Sequence, residues 1–416
     1  MNIHFIGIGG IGVSALARYY LQKGHKITGS DLVSSEITSS LEKSGVKIKI
    51  GIHKKRNVPG NTDLVIYSEA VPEDNAELRE AKKLKIKRMS GAKALGELTK
   101  KYFTIAVAGT HGKSTTTAML GLVLAKAGFD PTVIVGTKLK EFNGSNCRVG
   151  KSKYLVLEAD EYGAKFLNYR PKMIVLTNID KDHLDYYKTF ANVKRAFKKF
   201  IGNLPKDGVF ITEKSVKQKD IKKLKGLLKV PGEHNAYNAA LALIAARALK
   251  IPDKVSLGAL AQYKGSWRRF EERNIKLDAK SYTLISDYAH HPTEIKVTLK
   301  AARGKYPKKK IWCVFQPHQY QRTYYLFDDF VKVFRKAPID KLMITDIYDV
   351  VGREENEIKA KVSSAKLVQK IGQSRALYLP QAKIMDYLKK NLRGGEVVIV
   401  MGAGDIYKIA AALTKD

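Results

Sequence analysis

Two cysteines, Cys147 and Cys313, are all that 416 residues contain, and they stand far apart. That excludes a disulfide framework and a CxxC metal site, and it suits a reducing cytosol. Long apolar runs are also missing. The stretch 118–125 falls far short of the roughly 20 residues needed to span a bilayer, so no membrane association is expected. The first residues run straight into an apolar strand with no basic segment and no cleavage site, so no signal peptide is expected and the location should be cytoplasmic. No repeat of solenoid length occurs. Acidic residues are the scarce charge, 40 Asp and Glu against 75 Lys and Arg, which gives a net charge of +35. The lysines are dispersed over many segments, with no aromatic-basic platform and no basic tail. They read as a solvated surface that attracts small phosphorylated substrates, and nucleic acid is not the expected partner.

What is present centres on residues 104–117. An apolar run ends at Ala108, a Gly109-Thr-His-Gly112 turn follows, and Lys113-Ser114-Thr115 open a helical pattern. Strand, glycine loop and helix start together make a polyphosphate cradle: backbone N–H groups crowd the ligand and the helix adds its positive end. Lys113 would meet the β- and γ-phosphates, and Ser114 would offer a hydroxyl to Mg²⁺. Val107 stands where the strict GxxxxGK[ST] spacing needs its first glycine, so this is a variant of that loop.

Two further α/β segments flank it. The first, 1–98, opens on a strand followed by Gly7, Gly9, Gly10 and Gly12, a helix over 13–22, and a second strand ending in Asp31 about 20 residues on. That is a dinucleotide-type fingerprint, which identifies a phosphate cradle and not a base. Strands are expected at 46–50 and 63–67, then a loop and helix from Ser68. The central segment, 99–271, carries a strand ending in Glu158-Ala-Asp-Glu161. Another strand is followed by Asn178, Asp182 and His183. Acids at strand ends beside a phosphate loop are where Mg²⁺ ligands belong. An alanine-rich helix opens at His234-Asn235, with Asn238 one turn on; helix capping is the competing role for Asn235. The last segment, 272–416, has strands that end in polar clusters: Asp287-Tyr288 with His290-His291, then Gln316 to Arg322, then Gly402 to Asp405. The fold expected is α/β with three domains: Rossmann-like, phosphate-loop type, and Rossmann-like again.

Taken together, the chain resembles the Mur ligases of peptidoglycan synthesis over nearly its whole length. The stretches that carry the resemblance are His4-Phe-Ile-Gly-Ile-Gly-Gly, Ala108-Gly-Thr-His-Gly-Lys-Ser-Thr-Thr-Thr, Glu158-Ala-Asp-Glu, Thr177-Asn-Ile with Asp182-His183, His234-Asn with Asn238, Arg268-Arg-Phe, His290-His-Pro-Thr-Glu, and Phe315-Gln-Pro-His with Arg322-Thr. Within the family the pattern is most similar to the branch that joins L-alanine to UDP-N-acetylmuramic acid. The branch that recycles murein tripeptide shares many motifs and is the alternative. Ser114 replaces the family's usual threonine, Gly163 stands where an aspartate often follows, and Gln319 and Gln321 lie in a loop that is often more basic.

The resemblance implies an ATP-dependent amide ligase acting through an acyl phosphate, with Mg²⁺ (two ions) and no protein nucleophile. It implies that Lys113, Glu158 and His183 are catalytic, and that Ser114, Glu158 and His183 hold metal. Histidine is an unusual ligand for so hard an ion, and a structural role for His183 stays open. ATP would be met by residues 109–115 together with Asn235, Asn238, Arg268 and Asp287. The UDP-sugar would be met by Gly7, Gly9, Gly10, Gly12, Asp31, Ser68 and Asn178. The amino acid would be met by Tyr288, His290 and His318, which are also candidates to take the ammonium proton, with Arg322 gripping its carboxylate bidentately. For His291, ordering the turn before Pro292 stands beside a site role. Lys198 reads as part of a solvated helix face. A monomer or weak homodimer is expected. Two other classes are weaker: a nicotinamide oxidoreductase leaves Gly-Lys-Ser unexplained, and a nucleic-acid-dependent ATPase rests on charge and the phosphate loop.

Overall fold

A computed structural model describes residues 1–277, 280–350 and 354–414. The chain forms two compact units, one of Met1–Ile179, Lys194–Lys217 and Asn238–Leu260, the other of Asp180–Val193, Gln218–Tyr237 and Ala261–Asp416.

The first unit holds two sheets. One is built from β1 (Asn2–Ile6), β2 (Lys26–Asp31), β3 (Lys47–Ile50), β4 (Leu64–Tyr67) and β5 (Lys87–Ser90), all parallel in the order β3-β2-β1-β4-β5. The strand order reverses between β1 and β4, and the crevice outside their carboxyl ends is where open α/β sheets take ligands. The glycine loop follows β1 and Ser68 follows β4, so both lie at that point. The helix expected from residue 13 begins at Ile11 and runs to Gln22.

The other sheet of this unit contains β6 (Phe103–Ala108), β7 (Thr132–Leu139), β8 (Ser145–Arg148), β9 (Tyr154–Glu158), β10 (Met173–Leu176) and β11 (Val209–Ile211), in the order β11-β10-β6-β9-β7-β8. Only β8 is antiparallel to its neighbour. Residues 105–108 of β6 are fully buried, as a central parallel strand covered on both faces requires. β6 lies between β9 and β10, so the phosphate loop, Glu158 and Asn178 all emerge at one edge.

The second unit carries β12 (Glu271–Leu277), β13 (Lys280–Asp287), β14 (Ile311–Phe315), β15 (Lys341–Ile344), β16 (Ala376–Tyr378) and β17 (Val397–Met401), ordered β12-β13-β17-β14-β15-β16. Period-two alternation feeds a core on each face. Ile311, Cys313, Phe315, Val397, Ile399 and Met401 pack on one side, and Trp312, Val314, Val398 and Val400 on the other. The adjacent strands β13, β17 and β14 deliver the polar clusters 288–294, 402–405 and 316–322 to one end. Both thiols are buried, and burial pushes the Cys147 thiol up to about 12, so neither cysteine is a nucleophile. Among the described residues no helix is long and apolar enough to cross a membrane.

Candidate active site

The phosphate loop is shaped by close approaches that only glycine allows. Gly109 and Gly112 have φ of 138° and 81°. A Cβ on Gly109 would stand 2.0 Å from Thr177 Oγ1, and one on Gly112 would stand 2.4 Å from Asn238 Oδ1. The loop is also bolted to the end of β10. Asn178 accepts from Thr110 N through its carbonyl (3.1 Å) and from His111 N through Oδ1 (2.9 Å), and its Nδ2 donates to the His111 carbonyl (3.0 Å). Thr177 Oγ1 donates to the same carbonyl at 2.6 Å. Asn178 therefore clamps the phosphate loop. Both ends of its amide are held by His111, a role beside the one expected toward the UDP-sugar.

Lys113 follows Gly112 at the first position of the helix Lys113–Lys126. Its ammonium folds back to donate to the carbonyls of Gly109 (2.7 Å) and Thr110 (3.1 Å) and pairs with Glu161 at 2.8 Å. Burial alone would pull its pKa down, but Glu161, Asp160 and Glu158 outweigh it and hold the value above the ordinary one. Glu161 is 1 % exposed and was not among the expected site residues. Its signal was present, as the last acid of the strand-end cluster. Ser114 Oγ donates to Glu158 Oε1 (2.9 Å), while Glu158 Oε2 accepts from Gly136 N (2.6 Å). A hydroxyl and a carboxylate one hydrogen bond apart are a hard-oxygen pair that fits Mg²⁺.

At the first sheet, Asp31 Oδ2 accepts from Gly9 N at 2.8 Å and Ser68 Oγ accepts from Ala70 N at 3.3 Å. Among Gly7, Gly9, Gly10 and Gly12, only Gly12 has no protein atom within 4 Å of a built Cβ. Sequence reading missed a set of exposed apolar side chains at this sheet end: Leu32 and Val33 after β2, and Ile50 and Ile52 at the end of β3. Asp31 and Ile50 are register partners.

In the second unit the four expected amino-acid contacts come together. The Tyr288 and His290 rings lie 5.3 Å apart, His290 and His318 5.8 Å apart, and His318 stacks on Tyr348 at 5.4 Å. Arg322 is buried, with Nε donating to Asp182 Oδ1 (3.0 Å) and Nη1 to His318 Nδ1 (3.1 Å). His318 therefore carries its proton on Nε2. The expectation of a bidentate grip on a substrate carboxylate changes accordingly: both edges that include Nε or Nη1 are engaged, and Nη2 is the corner without a hydrogen bond among the described residues. Burial would raise the Asp182 pKa, but Arg322, His183, His291 and His290 hold it well below the ordinary carboxylate range. Asp182, His183, Leu184, Tyr325 and Arg322 line a small pocket, with His183 at a left-handed φ of 56°.

His290 Nδ1 donates to the Tyr288 carbonyl at 3.0 Å, and burial lowers its pKa to about 3. Burial thus weakens it as the acceptor expected for the ammonium proton. His291 orders its turn, as one of its two readings expects. It caps the helix Pro292–Lys305, with Nδ1 accepting from Thr293 N (3.2 Å) and Nε2 donating to the Lys181 carbonyl (3.1 Å).

Arg268 and Asp287, expected at the ATP, make contacts of their own within the second unit. Arg268, 4 % exposed, donates to the carbonyls of Gly402 and Gly404 and lies 4.8–5.5 Å from the Tyr407, Tyr288 and Trp267 rings. Asp287 accepts from Phe270 N (2.7 Å) and Ala289 N (2.8 Å), and burial raises its pKa. Both hold backbone within their own unit. Asn235 donates to the Pro231 carbonyl (2.7 Å) and so tethers the turn before the helix Glu233–Ala248.

Three family patterns match the chain: "Mur ligase family, catalytic domain" over 2–103, "Mur ligase middle domain" over 107–226, and "Mur ligase, glutamate ligase domain" over 268–404. A UDP-N-acetylmuramate–L-alanine ligase of Acetivibrio thermocellus is 41% identical, across 100% of this chain and 96% of its own length. One from Clostridium botulinum is 41% identical across 98% and 96%. The crystal structure of UDP-N-acetylmuramate-alanine ligase MurC from Thermotoga maritima superposes with a TM-score of 0.80 at 27% identity, covering 100% of this chain and 98% of that one. A murein peptide ligase from Psychrobacter arcticus reaches 0.72 at 23% identity, a likeness of fold alone.

Proposed function

The chain belongs to the Mur ligase family, and we infer that it is the ATP-dependent ligase that joins L-alanine to the lactyl carboxylate of UDP-N-acetylmuramic acid in peptidoglycan precursor synthesis. The observation that carries this is the 41% identity along essentially the full length of UDP-N-acetylmuramate–L-alanine ligases. The tripeptide-recycling alternative shares sequence motifs, and the solved murein peptide ligase adds a likeness of fold at 23% identity.

The division of labour follows the three segments 1–98, 99–271 and 272–416. The diphosphate of the UDP-sugar is taken at the switch point by Gly7, Gly9, Gly10 and Gly12 with Asp31 and Ser68. The exposed Leu32, Val33, Ile50 and Ile52 offer an apolar face to the uracil. ATP lies on the 109–115 loop, with Asn238 supporting that loop at Gly112. A carboxylate oxygen of the sugar acid attacks the γ-phosphorus as the bond to ADP breaks. The L-alanine nitrogen, its ammonium proton given up to water, then attacks the acyl carbon and phosphate leaves. Lys113 exchanges Glu161 for the γ-phosphate and neutralises charge that grows in the transition state. Ser114 and Glu158 would hold Mg²⁺, whose charge would offset the repulsion between the triphosphate and the incoming carboxylate, and His183 would serve a second ion. Tyr288, His290 and His318 bound the amino-acid pocket, and Arg322 offers its Nη2 corner to the carboxylate.

Phosphate release and product mass, measured with UDP-N-acetylmuramic acid, ATP, Mg²⁺ and each of L-alanine, L-serine, glycine and murein tripeptide, test the reading. Turnover requiring both the sugar acid and L-alanine is expected. Turnover with tripeptide in place of L-alanine would overturn it.

A further inference from the structure

Glu77, on the helix Ala76–Lys83, is fully buried, and its carboxylate accepts four hydrogen bonds. Oε2 accepts from His4 Nε2 and Ser30 Oγ, each at 2.8 Å. Oε1 accepts from His53 Nδ1 and Asn57 Nδ2, each at 2.8 Å. His4 Nδ1 is 2.8 Å from Thr28 Oγ1, and His53 Nδ1 is 3.2 Å from Ser30 Oγ. Every lone-pair position of the carboxylate is used. Burial opposes the charge, yet the donors hold the pKa down at about 2, so the group is an anion in working conditions. A buried ion is a poor stabiliser compared with an apolar side chain of the same volume, and its best-attested use is to fix one arrangement among several.

What this anion fixes is the end of β2. The Ser30 carbonyl accepts from Gly7 N (2.9 Å) and Ile8 N (3.1 Å), and the next residue, Asp31, accepts from Gly9 N (2.8 Å). The glycine loop therefore hangs by three bonds from Ser30 and Asp31. The Ser30 hydroxyl ties that strut to Glu77. The loop leads directly into the helix Ile11–Gln22, whose first N–H groups have no partner within the helix and are the natural donors to an anion.

We propose that Glu77 is a positioning residue for the UDP-sugar: acting through Ser30, it sets the place of the Gly7–Gly10 loop and so the aim of the helix start at the diphosphate. This rests on the reading that the loop binds the UDP-sugar, and neither Glu77 nor Ser30 touches the ligand or the reacting atoms.

Calorimetric titration of UDP-N-acetylmuramic acid, with UDP alone as second probe, is run on the unmodified chain and on Ser30→Ala, Glu77→Gln and Asn57→Ala. Steady-state kinetics and melting curves are taken on the same preparations. Ser30→Ala removes the tie between strut and anion, together with the longer contact to His53, and leaves the other three donors to Glu77 in place. It is expected to weaken UDP-sugar binding about ten-fold, the worth of one charge-assisted hydrogen bond. KM for the UDP-sugar should rise by the same factor, while kcat and KM for ATP stay within about two-fold. Glu77→Gln is expected to weaken binding at least as much. Asn57→Ala removes a donor on the other carboxylate oxygen; it should lower the melting temperature and leave the affinity near normal. The proposal is overturned if folded Ser30→Ala binds as the unmodified chain does, or if Asn57→Ala weakens binding as much as Ser30→Ala. Should Glu77→Gln not fold, Ser30→Ala decides. Failure of the unmodified chain to bind either probe would instead overturn the UDP-sugar reading, and this proposal with it.

Discussion

Lys113 shows how a single residue is prepared for its task. Its ammonium rests on two loop carbonyls and on Glu161, which is almost wholly buried, so the contact proposed with the γ-phosphate would trade one anion for another. Lys113→Met should abolish turnover and also take from the buried Glu161 its ion-pair partner, costing about 3–5 kcal/mol in urea unfolding. Adding Glu161→Gln should recover most of that stability and none of the activity. A double variant as unstable as the single one would show that Glu161 does not depend on Lys113. Asn178 makes the complementary point. Its neighbours in the sequence could not say which ligand it serves, because its carbonyl and amide partners lie about 67 residues earlier in the chain. Asn178→Ala should cost about 1–3 kcal/mol and raise KM for ATP while KM for the UDP-sugar holds. A rise in the sugar KM alone would favour the assignment made from sequence.

At the scale of elements, the central parallel strands were legible because burial on both faces leaves continuous apolar runs. Residues 104–108, 154–158, 173–176, 311–315 and 397–401 read that way, and the ligand loops could be placed at their carboxyl ends. Most edges were not legible, although β3, expected at 46–50, was. β5 reads Lys-Arg-Met-Ser, β8 Ser-Asn-Cys-Arg and β12 Glu-Glu-Arg-Asn-Ile-Lys-Leu. Such strands are short or polar, and only pairing with a neighbour reveals them. The same limit applies to polar side chains in the site. Arg268, Asp287 and His291 have the residue types of ligand contacts, but the sequence does not print the carbonyls and N–H groups that occupy them. For His291 the outcome is a helix cap, which sets a test. His291→Ala should lie about 1 kcal/mol below His291→Asn in urea unfolding, since asparagine keeps the cap acceptor. Equal stabilities would mean that the bond to Lys181, lost in both, is what matters.

For the whole molecule, buried groups shape how stability responds to acid, His290 and Asp182 among them. The His290 pKa is near 3, against about 6.5 in the unfolded chain, so the unfolded state binds the proton first and stability falls as pH drops from about 6.5 toward 3. Asp182, whose pKa is held well below normal, adds a further loss below about pH 3.9, where the unfolded carboxyl protonates and the folded one does not. Urea midpoints measured across this range should decline toward acid, and His290→Gln should flatten the limb between pH 6.5 and 4; an unchanged slope would show that His290 is not buried as a neutral ring. The net charge of +35 suits a chain whose two largest substrates are polyanions, and kcat/KM is expected to fall as salt is raised. The central claim is that the sugar acid's carboxylate is activated by ATP and captured by L-alanine. The most direct measurement is turnover of UDP-N-acetylmuramic acid labelled with ¹⁸O in its lactyl carboxylate, followed by mass analysis of all products. The account predicts one ¹⁸O in the inorganic phosphate, ADP without label, and the L-alanyl amide as product. Label in AMP, or phosphate released without label and without the amide, would contradict it.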